Sequence, residues 1–377
     1  MEFLTSSVGN ILSALPPFLL VLTIVVFFHE LGHYLVGRWC GIKAETFSVG
    51  FGPEIIGRTD SHGTRWKLSL IPLGGYVKFL GDENATSLPT GADDPQLNEA
   101  DRAHSFQNAA LWRRAATVVA GPMANFILAI LIFAVTFGIN GRMVSDPVVA
   151  DVQPASAAQA AGILPGDRFV AIDGVGVEIF DDVQRYVSVR PGVPITITME
   201  RQGAMVDLTL TPVRTEISDT FGNKMEVGRI GVITNNDAGN FRVREYNPIE
   251  AVGEGVAQSW YIVTRTVDYI GNIVTGREKA DQLGGPIRVA KYSKDMSTLG
   301  ITALIQLAAV LSVSIGLLNL MPVPMLDGGH LVFYAIEAVR GRPPGAVAQE
   351  WAYRFGLSIV LALMVFATWN DVSMLIG

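Results

Sequence analysis

Within the stretch "VLTIVVFFHELGHYLVGRWCG", residues 21–41, stands His29-Glu30-Leu31-Gly32-His33. Histidines four residues apart share one face of a helix, so both imidazoles can reach one metal ion. Glu30 lies beside them and can take a proton from water at that metal. Zn2+ suits two imidazoles with an oxygen ligand and brings the pKa of its water to about 7. On the motif alone, a chance HExxH is the competing reading. Its placement separates the two. Phe3 to Phe28 contains no charged residue, and apolar character resumes through Leu35 and Val36 up to Arg38. A helix over Pro17–Arg38 spans roughly 33 Å at about 1.5 Å per residue, enough to cross a bilayer. His29 then lies roughly 13 Å from the Arg38 end, inside the hydrocarbon. Ionisable groups at that depth are costly and by default functional.

Zinc needs more than two histidines. In "GLLNLMPVPMLDGGHL", Asp327 follows a long uncharged run and precedes another apolar stretch, so its charge requires compensation. Pro322 and Pro324 break the helix there, and Gly328-Gly329 lets the backbone turn, which could aim the carboxylate back among the helices. Alone, Asp327 reads as an ordinary helix-end residue; beside HExxH it reads as the third ligand. His330 could coordinate too, but the adjacent turn favours a local hydrogen bond.

The elements that must position these groups follow from composition. The chain has 377 residues, 49% hydrophobic and 17% charged, with mean hydropathy +0.36. That balance predicts a multi-span α-helical membrane protein carrying soluble parts. A net charge of −7 without a basic run gives no reason to expect nucleic acid. The single cysteine, Cys40, excludes an intrachain disulfide. No Lys or Arg precedes the first apolar run, which reads as a retained span and not a signal peptide. Ala115–Ile139, Leu299–Leu326 and Phe355–Asn370 are the further candidate spans, about four in all. Arg38, Lys43, Lys67, Lys78, Arg113 and Arg114 lie between the first two spans, and Arg340, Arg342 and Arg354 between the last two. The positive-inside rule places these loops in the cytoplasm and the long 140–298 region outside.

In the first loop, "TRWKLSLIPLGGYVKFLG" alternates Trp66, Leu68 and Leu70 against polar neighbours and continues past Pro-Leu-Gly-Gly. The pattern predicts a membrane-associated β-hairpin turning at those four residues. It either offers an edge strand to substrate, with Trp66, Leu68 and Leu70 in contact, or seals the cytoplasmic face. Residues 82–105 read as an acidic linker. From Pro147 to Thr215 short strands flank a small helix, and "GILPGDRFVAIDG" resembles the strand-turn signature of bacterial PDZ domains; an unrelated small β domain is the alternative. Ile249, Val252, Val256, Val263, Val267, Ile270 and Val274 recur at helical spacing, which predicts an amphipathic helix over 248–275. The expected order is a first span over 1–40, a loop with hairpin and linker over 41–110, and a second span over 111–140. A PDZ-like α+β domain over 141–215, a connector over 216–298 and the last two spans over 299–377 complete it.

HELGH in the first span, GPMAN (121–125) in the second, NLMPVPMLDGG after the third and the inserted PDZ-like segment together resemble the site-2 protease family of intramembrane zinc metalloproteases. The resemblance covers nearly the whole chain. It implies that His29, His33 and Asp327 bind Zn2+, that Glu30 is the catalytic base and that Asn319 assists substrate binding. It also implies a single-span membrane-protein substrate, such as an anti-sigma factor already trimmed by another protease, and residence in a bacterial inner membrane. A PDZ ligand is a further partner it admits. Family members with two tandem PDZ domains are familiar, whereas one is visible here. Asn125, a lone amide in an apolar span, either lines a polar cavity with substrate or hydrogen-bonds across packed helices. Two other functions compete: a non-proteolytic membrane zinc protein, and a PDZ scaffold on an inert anchor. An intact Glu30 argues against both.

Overall fold

A computed structural model of the chain describes residues 2–81, 99–218, 224–234, 241–275, 280 and 284–376. Most of the expected linker (82–98) lies outside the described residues; its end is the short helix α2 below. Among the described residues four helices are long and apolar enough to cross a membrane: Ser13–Trp39, Leu111–Asn140, Ile301–Asn319 and Ala346–Ser373. Two compact units divide the chain, residues 1–133 with 283–377, and residues 134–282.

The first unit begins with α1 (Glu2–Trp39), followed by β1 (Ala44–Thr59), β2 (Arg65–Phe79), α2 (Glu99–Ala103) and α3 (Leu111–Asn140), whose residues from 134 on are counted with the second. The hairpin corrects the sequence reading. Arg65–Phe79 is one continuous strand, and its partner is Ala44–Thr59. The reversal falls at Asp60–Thr64, because the Asp60 carboxylate accepts from the backbone N–H of His62 (2.8 Å) and Thr64 (3.0 Å) and so builds a turn of its own. Gly74, at φ +104°, and Gly50, at φ +88°, bend the strands without reversing them.

The bend gives the pair an unusual register. Thr46–Val49 pairs with Gly75–Lys78 on one side and Arg65–Leu68 on the other, while Ile56–Thr59 takes the far side of Arg65–Leu68. Arg65–Leu68 is therefore interior, and no edge is available there. Alternation is also inverted. Ser48 and Ser69 are buried and face each other at 3.1 Å, whereas Leu68 and Leu70 are exposed. Tyr34, Phe47, Val77, Phe79 and Val118 form the core beneath the hairpin, joining it to α1 and α3.

The second unit holds β3 (Arg142–Ser145), β4 (Asp151–Val152), α4 (Ala157–Ala160), β5 (Arg168–Ile172), β6 (Val175–Gly176), α5 (Phe180–Ser188), β7 (Ile195–Arg201), β8 (Ala204–Leu210), β9 (Val213–Ser218), β10 (Lys224–Arg229), β11 (Val232–Ile233), β12 (Phe241–Arg244) and α6 (Pro248–Val274). The main sheet runs β6-β5-β7-β8, and alternate residues Ile195, Ile197 and Met199 of β7 point into its core. Asp167 is buried and accepts two bonds from Arg201 (2.7 and 2.6 Å), fixing the turn in "LPGD". This small fold does not stop at residue 215. β11 pairs with β4, β12 with β3, and Ile230 joins the core, contacts too distant in sequence for local patterning to register.

The first unit resumes with α7 (Pro286–Thr298), α8 (Ile301–Asn319), α9 (Asp327–Arg340) and α10 (Ala346–Ile376). The third span ends at Asn319 and not at Leu326, because Pro322, Pro324 and the positive φ of Met325 (+88°) hold 320–326 out of helix. Val21, Val25, Leu304 and Ala308 pack α1 on α8. Asp371 of α10 accepts from Gly285 N (2.9 Å) and Arg288 N (3.0 Å), capping α7 from a distant helix.

Candidate metal centre

His29, Glu30 and His33 lie on α1 within its span, and Asp327 opens α9, where a carboxylate suits the first turn of a helix. The loop 320–326 brings Asp327 to α1 only because Gly328 and Gly329 carry no side chain: a Cβ on either would overlap the backbone of Leu320, Met321, Val323 or Pro324. Nε2 of His29 lies 3.1 Å from Nε2 of His33 and 3.2 Å from Oδ2 of Asp327; Nε2 of His33 lies 3.6 Å from Oδ1 of Asp327. Tetrahedral coordination with bonds of about 2.0–2.1 Å sets ligand atoms about 3.4 Å apart. These spacings fit one zinc ion, as does the donor set of two imidazoles and a carboxylate.

Each group is held from behind. Nδ1 of His33 lies 2.8 Å from the carbonyl oxygen of Thr117 on α3. A carbonyl can only accept, so Nδ1 carries the proton and Nε2 keeps a lone pair that a metal ion could take. Gly121, one turn further along α3, leaves room for the His33 ring. Gly32 lets α1 approach α3 closely, since a Cβ there would strike the Ala120 carbonyl and Ala124. The Glu30 carboxylate accepts from the backbone N–H of Val77 in β2.

His29, Glu30, His33, Asp327 and Asn319 line one cavity of about 350 Å³, whose opposite wall includes Gly74–Val77 of β2. The other sequence candidates lie elsewhere. Trp66 stacks on Phe47 at 4.2 Å and donates its indole N–H to Asp60 (3.1 Å), a core role. Leu68 and Leu70 are exposed on the outer face of the hairpin and do not line the cavity. Asn125 is fully buried and does not line it either. Sequence reasoning missed Val77, Thr117 and Asp60. The first two act through backbone atoms, which no residue type reveals. Asp60 sits in an exposed-looking turn yet accepts from Tyr34 and Trp66 (3.1 Å each), tying the turn to α1. Burial would raise its carboxyl, but these bonds and two backbone N–H groups outweigh that and hold it down at about 2.

Comparison with known proteins agrees with this geometry. The profile of peptidase family M50 matches residues 17–363. A relative in Agrobacterium fabrum, whose name describes a zinc metalloprotease, is 63% identical over 377 residues, 100% of each chain. One similarly named in Rhizobium meliloti is 60% identical over 368 residues, 98% of each. Metalloprotease MmpA of Caulobacter vibrioides is 39% identical over 377 residues, 94% of each.

Proposed function

The chain belongs to peptidase family M50, the site-2 protease family, and on that premise we propose that it is a multi-pass intramembrane zinc metalloprotease. It hydrolyses peptide bonds within or beside a transmembrane segment of another membrane protein. The observation that carries this reading is the meeting of His29, His33, Asp327 and Glu30 on one cavity built among apolar spans. His29, His33 and Asp327 hold the zinc, which when bound acts as a Lewis acid toward water and the scissile carbonyl. Glu30, held by Val77, takes the proton of the attacking water and returns it to the leaving amine. Asn319, on the same wall, orients the substrate backbone.

A helical substrate must unwind before its backbone is reachable, and each exposed N–H or C=O costs several kcal/mol in hydrocarbon unless re-paired. The Gly74–Val77 stretch of β2 is the strand segment on the cavity wall, and strand addition there re-pairs the unwound segment. The distribution of Lys and Arg supports a cytoplasm-facing site in a bacterial inner membrane, with the 140–298 region outside. Strands around a small helix in that region support a PDZ-like domain, which screens substrates by the size of their outer parts. A single-span protein already trimmed by another protease, of the anti-sigma-factor kind, fits such a filter.

Mass spectrometry of membrane proteins in cells carrying Glu30→Gln tests the reading. Truncated single-span fragments accumulate in the variant and disappear when wild-type protein is restored. An unchanged membrane proteome in the variant would count against proteolysis.

A further inference from the structure

We infer that Asn125 is a positioning residue of the metal centre: its side-chain carbonyl accepts the Nδ1 proton of His29, leaving the Nε2 lone pair of that ring for zinc. The inference rests on the reading of His29 as a ligand. Asn125 lies in the middle of α3, fully buried, with its carboxamide 3.3 Å from His29 Nδ1. Coordination through Nε2 requires the proton on Nδ1, and a buried N–H needs an acceptor. The two ends of a carboxamide have the same shape, so chemistry decides which one faces the ring. With the amide nitrogen toward the ring, Oδ1 is a buried oxygen without a hydrogen-bond partner among the described residues. With the carbonyl toward the ring, that oxygen takes up the imidazole proton.

His33 supplies the parallel. Its Nδ1 donates to the Thr117 carbonyl of the same helix. Thr117, Gly121 and Asn125 stand at successive four-residue steps, one face of α3. That face serves both ligands: an acceptor for His33, space for its ring, and an acceptor for His29. Asn125 is itself held in place. Ser312 of α8 donates to its backbone carbonyl at 2.8 Å, and Gly316 lets α8 come close to its Cβ. The lone amide in an apolar span thus acts neither on substrate nor merely in packing.

Zinc affinity of the purified full-length protein, measured by competition with a chelator, tests this. The variants are Asn125→Leu, which keeps the bulk and loses the acceptor, Asn125→Asp, which keeps the acceptor, and His29→Ala. Loss of an outer-shell partner to a ligating histidine weakens zinc about 10- to 100-fold, the change expected for Asn125→Leu, while Asn125→Asp stays near wild type. The visible absorption of the cobalt-substituted protein, which reports ligand geometry, changes in the leucine variant and not in the aspartate one. Wild-type affinity in Asn125→Leu overturns the inference. Equal weakening in both variants overturns it too, since packing would then explain the loss. Asn125→Ala replaces the leucine variant in the same comparison if leucine prevents folding. If His29→Ala binds zinc as wild type does, the ligand reading itself fails; if it loses zinc while Asn125→Leu does not, only the positioning role fails.

Discussion

Gly121 of α3 stands directly against the imidazole of His33, so that a Cβ at position 121 would occupy the place of the ring. The ring cannot yield freely, because its Nδ1 is bonded to Thr117 O at 2.8 Å. A glycine in the second span therefore decides whether His33, a proposed ligand on the first, can reach a metal.

Gly121→Ala is expected to displace His33 and weaken zinc binding by about tenfold or more, in the range seen when a ligand's support is lost. Secondary structure is retained, since alanine is the better helix former. Chelator competition with circular dichroism as control checks it. Undiminished affinity would show that the ring has an alternative seat.

Glu30→Gln removes the proposed proton acceptor and keeps the side-chain shape. Hydrolysis is expected to fall by about 10²–10⁴, the range for losing a general base. Zinc content stays the same, because the three proposed ligands are untouched. Parallel metal analysis and cleavage of a single-span reporter in nanodiscs separate the two effects; joint loss of metal and activity would point to a structural role.

Val77→Pro and Lys67→Pro distinguish the two parts of β2. Proline at 77 removes the N–H that holds Glu30, so cleavage falls while zinc is retained. Lys67 is paired with both Ser48 and Gly57, so proline there disrupts an interior strand and lowers the thermal midpoint of the whole hairpin. Equal behaviour of the two variants in stability and cleavage would contradict the register.

Asp60 links the hairpin turn to α1 and gives stability an acid limb. Its folded pKa, about 2, lies below the ordinary carboxylate value, so the native state binds the proton more weakly than the unfolded chain. This stability is full above about pH 4, the ordinary carboxylate range, and is lost as pH falls through about 2. Asp60→Asn is expected to lower the thermal midpoint at neutral pH and to flatten its decline in that window. A parallel decline in variant and wild type would assign the acid limb to other groups.

The motifs and spans were legible in the sequence because they depend on local spacing. Histidines four apart meet on any helix, and about 20 apolar residues suit a bilayer whatever surrounds them. Asp327 was legible for a related reason, as a charge where hydrocarbon would penalise one. Tertiary structure decided the rest. Residues 65–79 carry one alternation whether the strand reverses at Pro72–Gly75 or runs through, and only the pairing with Ala44–Thr59 excludes the first. Leu68 and Leu70 fit an inward face by pattern, yet the register turned Ser48 and Ser69 inward. The roles of Thr117, Gly121 and Val77 rest on a backbone carbonyl, a missing side chain and a backbone N–H. Such groups occur at many positions of a chain, so only the approach of α3 and β2 to α1 gives these three their place at the candidate metal centre.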